Sequence, residues 1–165
     1  MPNETVLTEL EKAGGDLSAR VEAITILRSL LWTPYLWGGD DFSGLDCSGL
    51  IVEVLKSVGK IELFEDLSAD GLYRRFRQFE IPSGISPYPG CLVLWSGVDN
   101  IMSHVGMVVT KRFFIHAGGG GSSTTSEAAA IAQNAYVMQR DLEQYTKWRA
   151  GKGYRRKAVD PFKEA

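Results

Sequence analysis

The chain has 165 residues, of which 44% are hydrophobic and 23% charged. That length and mix suit one domain burying roughly two thirds of its unfolded surface, and exclude the charge-rich, apolar-poor chains that stay disordered. A formal charge of -2 and a pI near 5.7 supply no broad positive field, which excludes nucleic acid as the main partner.

Residues 3–12 read as a short helix closed by Gly14 and Gly15, which tolerate positive φ at a helix end. The first ten residues carry Glu4 and Glu9 where a secretory leader would be basic, and no apolar run approaches the ~18 residues of a membrane-spanning helix. The expectation is therefore synthesis without an export signal and no stable membrane insertion. A second helix, capped by Asp16 or Ser18, follows: Val21, Ile24, Leu27, Leu30 and Leu31 recur every three or four residues until Thr33-Pro34 ends it.

Residues 34–46 keep neither a helical nor a strand period and form a shaped loop rich in glycine, aspartate and aromatics, Phe42 and Ser43 included. Helical spacing resumes with Leu50, Ile51, Val54, Leu55 and Val58, so residues 47–58 predict a helix stopped by Gly59, with Cys47 at its start. Leu72, Tyr73, Phe76 and Phe79 predict another over residues 70–79, before Pro82, Pro87 and Pro89.

The character then changes. Residues 92–95, 105–109 and 112–115 are β-branched or aromatic runs separated by turn residues and read as antiparallel strands. Gly118 to Ser126 form a low-complexity loop expected to be mobile, residues 135–142 a last strand, and residues 159–165 a polar tail expected to fray. Helices first and strands second imply α+β. No internal repeat divides the chain, and residues 1–165 are expected to form a single domain with its core at about 17–157.

The chemistry-bearing residues are few. The cysteines, Cys47 and Cys91, make neither a disulfide framework nor a metal-ligand spacing, so at least one is available for chemistry. A thiol attacks as its thiolate, and a free cysteine near pKa ~8.5 is mostly protonated at neutral pH. A helix N-terminus, where backbone N–H groups are unpaired and the dipole is positive, favours that thiolate and can hold an oxyanion. Cys47 has this setting, whereas Cys91 enters a strand.

His104 and His116, the only two histidines, sit equidistant from a turn near Thr110-Lys111, as a hairpin pair would, and alternation can aim both rings at one face. A cysteine with one histidine as base and another as orienter follows the logic of a catalytic triad. The bland readings stand beside it: Cys47 as a small hydrophobe, the histidines as cross-strand packing or half of a metal site.

Taken in order, Tyr35-Leu36-Trp37-Gly38-Gly39, Leu45-Asp46-Cys47-Ser48-Gly49-Leu50-Ile51, Pro89-Gly90, the 92–95 run, Ser103-His104-Val105-Gly106-Met107 and Phe114-Ile115-His116-Ala117 resemble the NlpC-type peptidases. These are the cell-wall branch of the papain-like cysteine peptidases. The likeness spans residues 17 to 157, since the aromatic, arginine-rich 145–156 stretch is also similar to the family's ending. It departs at Cys91, where the family often has an acidic residue.

The resemblance implies a papain-like core with N-terminal helices packed on a central antiparallel sheet and the nucleophile at a helix N-terminus. It implies Cys47 as nucleophile, His104 as base and His116 as orienter. It places Tyr35, Trp37 and Ser103 at the oxyanion or substrate pocket and Asp46 and Ser48 near the substrate's free amino end. Packing, turn and capping roles remain open for Tyr35, Trp37 and Asp46, and Trp95 reads as core. No cofactor or metal is implied. The implied substrate is peptidoglycan or a muropeptide, cut between D-glutamate and a diamino acid. Amidase cleavage at the sugar-peptide junction, acyl transfer, and a non-catalytic wall-binding module are the alternatives. Without an export signal, a phage lysin, a virion tail hydrolase, an injected effector with an unknown immunity or delivery partner, and cytoplasmic recycling of wall fragments all fit.

Overall fold

The computed structural model describes residues 4–41 and 44–164. Phe42 and Ser43 of the expected loop, and Asn3 of the expected first helix, lie outside them.

Helix α1 (Glu4–Ala13) leads into α2 (Leu17–Ser29). Of the two candidate caps for α2, Asp16 does the work, its carboxylate accepting from the Ala19 N–H. The helix ends before Thr33-Pro34 because tertiary pairing overrides the spacing: Trp32 turns to φ 76°, and the Trp32 N–H and Thr33 carbonyl bond the two sides of Val137. The loop that follows is not wholly irregular. β1 (Asp40–Asp41) and β2 (Gly44–Leu45) make a two-residue antiparallel ladder before α3 (Cys47–Ser57) begins.

Ser68 caps α4 (Ala69–Phe76), and a 3-10 turn at Arg77–Phe79 completes the expected 70–79 helix. The strands β3 (Leu92–Ser96), β4 (Met102–Val108), β5 (Phe113–Gly118), β6 (Tyr136–Asp141) and β7 (Arg155–Val159) form one antiparallel sheet in the order β6-β5-β4-β3-β7. Two helices not expected from the sequence, α5 (Glu127–Gln133) and α6 (Leu142–Gly151), flank β6. This is the α+β arrangement expected, with the N-terminal helices on the sheet.

The sheet is covered on both faces. Leu94, Val105, Met107, Ile115 and Val137 point toward α2, α3 and α4 and share their core. Val93, Trp95, Val108, Phe114 and Ala158 point the other way, against Leu142 and Tyr145 of α6. Trp95 is core, as read from the sequence, with 0% exposure.

The tail is a correction. Residues 155–159 pair with β3 as an edge strand, and Asp160 and Phe162 are fully buried. The cause is Arg20, which lies on the apolar stripe of α2 and is itself fully buried. Its guanidinium donates to both Asp160 carboxylate oxygens, at 3.0 and 2.9 Å, and to the Pro89 and Gly14 carbonyls. Tyr88 adds a hydroxyl bond to Asp160 at 2.7 Å. A buried charge persists only when paired and hydrogen-bonded in this way, and the pairing ties the C-terminal residues to α2.

Candidate active site

The loop before α3 is locked to the helix start by Asp46. One carboxylate oxygen caps the helix by accepting from the Gly49 N–H at 2.7 Å, and the other accepts from the Gly38 N–H at 3.1 Å. Gly49 is required by this close approach, since a Cβ there would meet the Gly39 carbonyl oxygen and lie 2.8 Å from the capping oxygen. Cys47 is thereby fixed at the first turn of α3. Its thiol faces the backbone of β4, with Sγ 3.9 Å from the Ser103 carbonyl oxygen, immediately beside His104.

His104 and His116 make contact, but not as a direct hairpin pair. The β4–β5 register places Met107 opposite Ile115 and Val108 opposite Phe114, which puts His104 and His116 one diagonal step out of line. On the strands to either side they pair instead with Trp95 and Met138. The β4–β5 ladder is confined to those two residue pairs, so the strands part before reaching the histidines, and one cavity receives side chains from both faces. His104 Nε2 and His116 Nδ1 lie 2.6 Å apart, with rings nearly perpendicular at 84°. Trp95 and Tyr145 pack against His104 at 5.8 and 6.0 Å between ring centroids. His116 Nε2 is buried without a hydrogen-bond partner among the described residues. Gly118 makes room for this ring, because a Cβ there would lie 2.7 Å from His116 Cε1.

All eight site residues expected from the sequence line a single cavity of about 680 Å³: Tyr35, Trp37, Asp46, Cys47, Ser48, Ser103, His104 and His116. Tyr35 is buried and Trp37 half exposed. The 118–126 loop is not the free strap its composition suggests. Thr124 is fully buried, its carbonyl accepts from the Trp37 N–H at 2.8 Å, and its hydroxyl accepts from the Gly121 N–H. Cys91 lies outside the cavity, fully buried beneath α6, and burial pushes its thiol up to about 12.

Sequence reasoning left out the opposite wall, formed by Arg140, Tyr145, Trp148, Arg149 and Tyr154. The aromatic and arginine-rich run from residue 145 was visible, but not that α6 turns it toward the histidines.

The electrostatics correct one expectation. The helix N-terminus was expected to lower the Cys47 thiol, yet burial, seconded by the Asp46 carboxylate, pushes it up to about 11. The backbone N–H groups of Val105, Ser48 and Cys47 itself oppose that rise without cancelling it. Burial likewise pushes His104 down to about 3, with Arg149 and Arg140 adding to the effect. His116 is held well below the usual histidine range by burial, then by His104. Both shifts disfavour an isolated charge, so the resting site is a neutral thiol beside neutral imidazoles.

A family model described as NlpC/P60 family matches residues 32–141, the span containing the whole cysteine–histidine constellation. The chain belongs to the NlpC/P60 family. It is 35% identical over 94 residues to a Bacillus subtilis (strain 168) protein named probable peptidoglycan endopeptidase LytE, a match covering 55% of this chain and 25% of that one. The chain thus spans about a quarter of that relative's length.

Two solved NlpC/P60 structures share the fold. One, from Bacillus cereus ATCC 10987, superposes with a TM-score of 0.62 at 18% identity, covering 87% of this chain and 40% of that one. The other, the P60 domain of the Mycobacterium avium subspecies paratuberculosis antigen MAP1204, gives 0.61 at 21% identity, covering 89% and 97%. The helices and five-stranded sheet are accordingly the papain-like fold of NlpC/P60 domains. Among the described residues no helix is long and apolar enough to cross a membrane.

Proposed function

We propose that this NlpC/P60 chain is a single catalytic domain, a cysteine endopeptidase of peptidoglycan stem peptides that cuts between D-glutamate and the following diamino acid. The observation that carries the reading is the cavity itself, which gathers Cys47 at a helix N-terminus with a hydrogen-bonded His104–His116 pair.

In this reading His104 donates its Nε2–H to His116 Nδ1, leaving Nδ1 free to take the proton of the Cys47 thiol. His116 carries its own proton on Nε2. As the proton leaves, sulfur attacks the peptide carbonyl carbon, and the oxyanion is received by N–H groups at the start of α3. Collapse breaks the C–N bond, His104 returns the proton to the leaving amine, and a thioester remains on Cys47. Water, deprotonated by His104, then releases the carboxylic acid and restores the thiol. Because burial keeps both partners neutral at rest, charge separation arises during attack. Asp46 offers a counter-charge for a substrate amine, and Tyr35 and Trp37 provide aromatic walls.

The name of the LytE relative supports a peptidoglycan substrate. The test is digestion of defined muropeptides with product masses. The expected products are an L-alanyl-D-glutamate fragment and a peptide beginning with the diamino acid. Release of the whole stem from the sugar would instead assign an amidase, and no mass change with any wall substrate would leave a binding module.

A further inference from the structure

Among the described residues, two guanidiniums stand on the active-site wall with no carboxylate paired to them. Arg140, at the end of β6, and Arg149, in α6, both line the cavity that holds Cys47. Their guanidinium carbons lie 4.9 and 5.4 Å from the centroid of the same Tyr145 ring. That ring also packs against His104 and His116, at 6.0 and 5.0 Å, so both charges are one aromatic ring away from the reacting groups.

The nearby carboxylates are engaged elsewhere. Asp141 pairs with Arg112 at 2.9 Å and Glu143 with Arg156 at 3.2 Å. Among the described residues, Arg149 touches the Tyr145 hydroxyl, at 3.0 Å, and aromatic faces, and Arg140 touches the Tyr145 ring and, at a long 4.0 Å, the Met138 sulfur. Their charge lowers the basicity of His104 and His116, an effect that an anion arriving between the two arginines would offset. The same cavity lining includes one carboxylate, that of Asp46. A cavity lined by one carboxylate and two guanidiniums can orient a peptide by its charges.

Resting on the endopeptidase reading above, we propose that Arg140 and Arg149 form a carboxylate-binding subsite for the portion of the stem peptide beyond the cleaved bond. Two carboxylates can occupy that portion, the C-terminal one and, where the diamino acid carries one, its side-chain carboxylate. A planar guanidinium suits either by paired N–H donation.

The experiment compares kcat/KM for synthetic stem tripeptides identical except at these groups: both carboxylates free, the C-terminus amidated, or the side-chain carboxyl amidated. Wild type is expected to prefer a free carboxylate tenfold or more in one of the two arms, which names the group bound. In Arg140→Gln, and further in Arg140→Gln/Arg149→Gln, that ratio should collapse toward one. Because each variant is scored against itself, a general loss of activity or stability cancels. A wild type indifferent to both amidations, or a preference that survives in the double variant, overturns the subsite while leaving the endopeptidase standing. Failure of the wild type to cleave any of the three peptides overturns both.

Discussion

Cys47 sits where two effects compete, and their sizes decide the chemistry. Helix N–H groups favour the thiolate, but desolvation wins and lifts the thiol to about 11 while holding His104 near 3. The sign follows directly. A raised thiol is protonated below about 11 and a depressed histidine is neutral above about 3, so no ion pair stores thiolate at neutral pH. Iodoacetamide labelling of Cys47 in the free enzyme should therefore climb steadily with pH through about 9; a plateau already present near pH ~6 would reveal a preformed thiolate–imidazolium pair. On the proposed mechanism His116 acts through His104, so His116→Ala should lower kcat by roughly a hundredfold or more, with a smaller change in KM, by freeing the imidazole to adopt the wrong tautomer.

At the scale of elements, the site depends on where β4 and β5 part and on how closely the backbone approaches the His116 ring. Gly118→Ala puts a methyl about where that ring lies, and is expected to reduce activity at least tenfold while the far-ultraviolet spectrum stays that of the native protein. Unchanged kinetics would show that the His116 position is not critical. Helix α3, which carries Cys47, was readable in the sequence because Leu50, Ile51, Val54 and Leu55 repeat at helical spacing behind a capping aspartate. The strands carrying the histidines were readable from β-branched runs. Helix α5 and the diagonal offset of His104 and His116 were not, because an alanine-rich segment carries no apolar stripe and a two-residue register difference, which keeps every side chain on its face, leaves no trace in residue type. The pull of Thr33 and Pro34 onto β6 was hidden for a similar reason: it is a long-range pairing that overrules local spacing.

Across the whole molecule, the ends of the chain meet at Arg20 and Asp160. A charge on the apolar stripe of α2 was the available clue that a buried partner exists, but only the fold reveals that the partner lies 140 residues away. Arg20→Met leaves the Asp160 carboxylate buried without its cation and should cost about 3–5 kcal/mol in denaturant unfolding; a loss under ~1 kcal/mol would mean that water reaches the carboxylate. The same fold brings a thiol from one side of the sheet and two imidazoles from the other into one cavity. That meeting is the centre of the account, and a trapped intermediate tests it most directly. Stem peptide mixed with enzyme, acid-quenched within milliseconds and analysed by intact and peptide mass should show the L-alanyl-D-glutamyl group as a thioester on Cys47, and Cys47→Ala should lose cleavage by roughly four orders of magnitude. An acyl group on another residue, or Cys47→Ala cleaving at an undiminished rate, would contradict it.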